Sequence, residues 1–431
     1  MLRTWRGRTV AAVATSGMTA AFNVLASGQQ TPPWGGVLDQ HPAIQYATRP
    51  TTDRVAQLRQ AIANGTTSLQ RDAKSGYLRS VLVALGLPVE SQLLVFSKTG
   101  VQSAFTSPHN PRALYFDESV VVGYVPGAPA LEIATHDAQQ GVVFYTVDQE
   151  AAGAAPVRRT SCLACHVSAS TLDVPGIIVR SNTVGDDGNV VARMGSVDVS
   201  HQTPHPDRWG GWFVTQDAAS APYAQRAHAG NISFSGRGNT SNQIFVEWMD
   251  SAPETRGYPA SSSDIVALLV FDHQMHGINL LTRLNWEARI AAYDGKAPAA
   301  DPHIETLVNE LVDYLLFVGE QPPAVPQVAL PAFAAHLEAR APKDSRGRSL
   351  GQLDLNRRLM RYPCSYLIYS PAFDSLPGAV KDAMYQRIVD ILSGNDHQTR
   401  YAKLLPDDRR TVLEILRDTK PDFPRPDNSL R

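Results

Sequence analysis

Cysteine is scarce. Only Cys162, Cys165 and Cys364 occur in 431 residues, so no disulfide framework holds a chain of this size together. Charge of one sign is lacking too. The 39 Lys and Arg against 41 Asp and Glu leave a formal charge of -2. No run of like charge is long enough for a nucleic-acid arm or an acidic tail, so no nucleic-acid partner is expected. No internal repeat or low-complexity tract is present, which removes repeat architectures. Past the first residues no stretch reaches about 18 continuous apolar residues, and no membrane span is expected after processing. What remains is ordinary globular material, 43% hydrophobic and turn-rich with 30 Gly and 30 Pro. Its length suits two or three domains or one large body.

The N-terminus reads as an export signal. Arg3, Arg6 and Arg8 form a basic n-region, Thr9 to Leu25 is mostly small and apolar, and Ala26-Ser27-Gly28 offers a small-x-small cleavage site. A periplasmic or secreted location follows as an expectation. The alternatives are an uncleaved anchor or a cytoplasmic tail.

Two of the three cysteines sit in Cys162-Leu163-Ala164-Cys165-His166, the C-x-x-C-H attachment sequence for c-type haem. Two thiols must add to two vinyl groups on one porphyrin edge. Two intervening residues bring both sulfurs to one side of a turn, and His166 places an imidazole under the iron as its proximal ligand. One covalent haem c is the cofactor this implies. Three other readings stay open. A thioredoxin-like dithiol would want the motif close after a strand in a βαβ domain. A zinc site would need a fourth ligand, and Cys364 stands alone. A structural disulfide or idle thiols would leave His166 without a role. Cys364, among aromatics in Tyr362 to Tyr369, reads as a buried free thiol, with an intermolecular disulfide as the alternative.

Read in order, the chain starts with a Pro- and Gly-rich arm at 29–50. A helix capped by Asp53 runs to about Ala63, and a second, about Gly76 to Leu85, stops at Gly86. Short β-branched and aromatic runs follow at Leu93 to Phe96, Leu114 to Phe116, Val120 to Val125 and Val142 to Val147. After His166, Ile177 to Val179 and Trp212 to Val214 read as strands, and much of 181–245 is loop-rich and would wrap the porphyrin. Helices are expected from Ile265 to Ala291, from Asp301-Pro302 to Gly319, from Ala379 to Leu392 and from Asp407 to Asp418. The fold class is α+β: a small, mostly antiparallel sheet and a loop-rich haem region, then a helical C-terminal part. The regions are a signal peptide (1–28), an N-terminal helix and strand region (29–155), a haem-binding region (156–300) and a helical C-terminal region (301–431).

The sixth iron position decides the function. His201, His228, His273 and Met194 are the distal candidates. Arg158 and Arg159, just before the motif, could pair with haem propionates. Trp209 and Trp212 could pack on the porphyrin or serve as core aromatics. A filled sixth position makes a single-electron carrier working with a redox partner protein. An open one makes a peroxidase-like or other small-molecule oxidoreductase, with His201 or His228 and Arg208 as a distal set, or a haem-based sensor or docking module.

Several stretches beyond the motif carry a resemblance: Gly76 to Ser80, Leu94 to Thr99, Ser107 to Phe116, Val142 to Thr146, Val174-Pro175-Gly176, His201-Gln202-Thr203-Pro204, Arg208-Trp209-Gly210-Gly211-Trp212 and Arg361 to Tyr366. Together with Cys162 to His166 they make the chain similar to a family of exported bacterial cytochrome c domain-containing proteins, over most of its mature length. The resemblance implies one covalent haem, export and a redox role. It names no distal ligand. Outside the motif the chain does not resemble a small cytochrome c.

Overall fold

Asp53 opens the first helix as its sequence position requires. Its side chain accepts from the backbone N–H of Val55 and Ala56, both at 2.9 Å, satisfying two of the donors a helix start leaves bare. Helix α1 (Arg54–Ala63) leads to α2 (Leu78–Leu85), which stops at Gly86, whose φ of 61° is left-handed. These belong to a computed structural model that describes residues 38–215, 227–229, 257–323 and 332–425, with the backbone alone at 215 and 227–229. The expected signal peptide, 1–28, lies outside the described residues.

The strands are β1 (Leu93–Val95), β2 (Arg112–Phe116), β3 (Val120–Tyr124), β4 (Ala130–Asp137), β5 (Gly141–Asp148), β6 (Val157–Arg158), β7 (Arg180–Asn182), β8 (Ser196–Asp198), β9 (Trp212–Thr215) and β10 (Ala227–Ala229). Eight form one antiparallel sheet in the order β10-β9-β1-β2-β3-β4-β5-β6, and β7 pairs with β8 separately. The sheet is thus larger than the small one expected, because β4 joins it and β9 and β10 return to its far edge. Ile177 to Val179 is not a strand, as pairing begins only at Arg180.

Alternation divides the sheet between two cores. Leu93, Val95, Leu114, Phe116, Val142 and Phe144 join a large cluster with the C-terminal helices. Leu94, Phe96, Tyr115, Val122, Tyr145 and Val147 join a second cluster with α1 and α2. The short helix α3 (Leu163–His166) carries the cysteine motif. Helix α4 (Ile265–Tyr293) is buried around most of its circumference, as its continuous apolar sequence demands. Fully burying one of its leucines, such as Leu281, stabilises the fold by about 1.5–3 kcal/mol. Helices α5 (Pro302–Leu315), α6 (Ala332–Arg340), α7 (Gly378–Leu392) and α8 (Pro406–Thr419), with a single helical turn at Pro371–Asp374, make up the helical C-terminal part. Leu38–Arg431 forms one compact unit, within which the divisions at 155 and 300 fall. Among the described residues no helix is long and apolar enough to cross a membrane.

Candidate functional site

The motif turn hangs from the sheet edge. Strand β6 pairs with β5, Tyr145 opposite Arg158 and Thr146 opposite Val157. Arg159 N–H donates to the Phe144 carbonyl at 2.8 Å and extends that edge by one bond. The chain then tightens into a single turn over Thr160–Cys162 and continues as α3. Residues three and four apart share a helix face, so Cys162, Cys165 and His166 lie on neighbouring positions of one turn. Cys165 is exposed, Cys162 is half-buried, and both are free thiols. Leu163, between them, packs against both cores and pins the turn down.

The loop after His166 folds back on it. Ser168 and Thr171 form a reciprocal cap. Leu172 and Asp173 follow with φ of 60° each, a conformation uncommon for residues with a Cβ. The reversal brings Gly176 beside His166. Gly176 N–H donates to the His166 carbonyl at 3.0 Å. His166 Nδ1 lies 2.8 Å from the Gly176 carbonyl oxygen. Since a carbonyl only accepts, Nδ1 carries the proton and Nε2 is the bare nitrogen. Nε2 has no hydrogen-bond partner among the described residues. The ring also rests on Phe144, with centroids 4.6 Å apart. Burial holds its pKa below the usual histidine value, against the pull of the Gly176 hydrogen bond, which favours the neutral imidazole.

The same surroundings bear on the rival readings of the cysteines. Burial, then the charge of Glu132, raises the Cys162 thiol, against the pull of Arg159. A reactive dithiol needs its thiolate favoured. The sheet is antiparallel and α3 is four residues long, unlike a βαβ dithiol domain. Cys364 is fully buried in the large core, its thiol pushed up to about 12 by burial. Among the described residues no three His, Cys, Asp or Glu side chains gather as a site for a bare metal ion.

Arg158 is engaged by the N-terminal arm. It donates to the carbonyl of Arg49 at 3.0 Å and to that of Tyr46, and its guanidinium lies over the Tyr46 ring. It therefore straps the N-terminal arm to the sheet edge. Arg159 is exposed and donates to Thr146 Oγ1 at 2.9 Å. Trp209 and Trp212 are core aromatics with their indole N–H groups engaged, on Asp272 Oδ2 and on the Arg180 carbonyl, both at 2.9 Å.

His201 and His273 meet across 72 residues, Nδ1 to Nδ1 at 2.7 Å. His273 Nε2 lies 2.6 Å from Ser365 Oγ, whereas His201 Nε2 is buried without a partner. Arg208 donates to the carbonyls of Thr203 and His201, at 2.8 and 2.9 Å, and lies 3.5 Å from Asp272. That guanidinium is committed to holding the His201 turn, which does not suit a distal charge-stabilising role. Burial lowers His201 well below the usual value and His273 to about 3, and lifts Asp272 to about 7 despite Arg208. Met194 is half-buried in a short turn before β8. His228 pairs with Val214 in β10, and its side chain lies outside what is described.

Sequence reasoning overlooked Gly176 and Phe144 as parts of the site. A Pro-Gly pair ten residues past the motif was the available signal for the first. No family model, curated protein or solved structure matches the chain.

Two outcomes follow. Nitrogen-15 histidine NMR of the haem-free protein at neutral pH should find His166 as the Nδ1–H tautomer, and an Nε2–H tautomer would contradict the geometry. A histidine with a depressed folded pKa contributes stability that is full above its unfolded value of 6.5 and is lost as pH falls towards the folded one. The stability difference between wild type and His273→Asn, from urea unfolding, should therefore be largest above pH 6.5 and narrow towards about pH 4. A difference that stays level would contradict a neutral buried His273.

Proposed function

We propose that the chain is an exported c-type haem protein that transfers single electrons. One observation carries the reading: on a C-x-x-C-H turn, His166 bonds its Nδ1 to a backbone carbonyl and leaves Nε2 unpartnered. Histidines that ligate metals are held this way, with the second nitrogen fixing the tautomer and the ring. Two free thiols on the same turn fit covalent attachment. Cys162 and Cys165 would hold the porphyrin edge, and His166 would stand on its proximal face. A bound haem supplies a one-electron Fe(III)/Fe(II) couple.

The chain's own residues orient and shield. Phe144 and the returning loop fix the imidazole. Arg112 and Glu132, which act electrostatically on His166, place charges of both signs beside it. For the distal side, His201 has one nitrogen bonded and the other bare, which makes it the better-prepared candidate of those whose side chains are described. The export signal and the family resemblance support a periplasmic or secreted site, with a redox protein as partner.

The optical spectrum of the reduced protein, matured with a haem-ligation system, tests the role. A low-spin spectrum that ignores carbon monoxide is expected of a carrier with both axial positions filled. A high-spin spectrum that shifts on adding carbon monoxide would replace electron transfer by an enzyme or sensor.

A further inference from the structure

Asn279 lies in the middle of α4, buried, and its amide serves a single residue. Asn279 Oδ1 accepts from the Ile177 N–H at 3.2 Å, and its Nδ2 donates to the Ile177 carbonyl at 2.9 Å, across 102 residues of sequence. This clamp explains why Ile177 stays out of β7, since its backbone groups are engaged by a side chain.

The first of these bonds reaches further than Ile177. The Ile177 N–H and the Gly176 carbonyl belong to one planar peptide unit. Holding the N–H on one side fixes the direction of the carbonyl on the other, and that carbonyl accepts the His166 Nδ1 proton at 2.8 Å. Hydrogen bonds in series also polarise one another, so a held N–H makes its carbonyl a stronger acceptor. Gly176 completes the fit. A Cβ there would lie 2.3 Å from Asn279 Oδ1 and 3.0 Å from Thr171 Cβ.

We infer that Asn279 is a positioning residue for the proximal histidine: through the Gly176–Ile177 peptide it orients the His166 ring and strengthens Nε2 as a donor, and so lowers the reduction potential of a bound haem. The inference rests on the haem reading above. A more basic imidazole favours ferric iron, so loosening the peptide raises the potential. A purely structural role for Asn279 would leave it unmoved.

Spectroelectrochemical titration of the matured protein tests this with Asn279→Ala, Gly176→Ala, the double variant and Asn279→Asp. Both single alanine variants should retain covalent haem and shift the midpoint upward. Asn279→Asp keeps an acceptor for the Ile177 N–H and should lie nearer the wild type than Asn279→Ala does. The double variant should shift less than the sum of the singles. Asn279→Ala removes the atom that the new methyl meets, beside an existing cavity of about 20 Å³ that Asn279 borders. If Asn279→Ala does not accumulate, Gly176→Ala strikes the same contact from the other side and carries the test. Haem bound with unmoved midpoints in the alanine variants would overturn this inference alone. A wild type that takes up no covalent haem would overturn the haem reading and this inference with it.

Discussion

An imidazole can offer one nitrogen to a metal dependably only when the other is engaged. In this chain that constraint is met by two opposed hydrogen bonds between His166 and Gly176, one through backbone and one through the ring. The left-handed pair Leu172 and Asp173, the Ser168–Thr171 cap and the buried run from Val174 to Gly176 all serve to bring that one carbonyl into place. Residues held at positive φ despite a Cβ cost of order 1–3 kcal/mol each, and such strain gathers where function fixes the backbone.

The fold supplies the stiffness this arrangement needs. The eight-stranded sheet gives the motif turn an edge to hang from, with Phe144 beneath the imidazole. On the far side, α4 is locked between the sheet and the C-terminal helices, so the Asn279 amide is itself fixed. The buried group around His201, His273, Asp272 and Arg208 ties α4 to the turn that precedes β9. Taking Arg208 and Asp272 out of water is costly unless they meet one another and further hydrogen-bond partners, so the group gives more in defined geometry than in net stability.

Much of the fold was legible in the sequence. The Asp53 cap, the stop at Gly86, the α4 span and the Asp301-Pro302 start rest on local chemistry and stand where local chemistry put them. Strand β4 escaped notice because its alternate positions Glu132, Ala134 and His136 are only partly buried, so its apolar pattern is thin. The apolar run Ile177 to Val179 suggested a strand, but a distant amide holds its first residue. Likewise Arg158 is adjacent to the motif in sequence yet spent on carbonyls of the N-terminal arm. At the candidate site, the C-x-x-C-H spacing was readable because the chemistry acts within five residues. The partnership of His201 with His273, and the reach of Asn279 to Gly176, depend on tertiary packing and leave no periodic trace.

Under the proposed reading Cys162 and Cys165 would hold a haem through covalent bonds. Intact mass of the protein after co-expression with a haem-ligation system and acid denaturation tests it most directly. The wild type should give a species one haem heavier than the processed polypeptide, and the Cys162→Ala/Cys165→Ala variant the bare processed mass. Bare polypeptide in the wild type, or haem retained by the double variant, would contradict it.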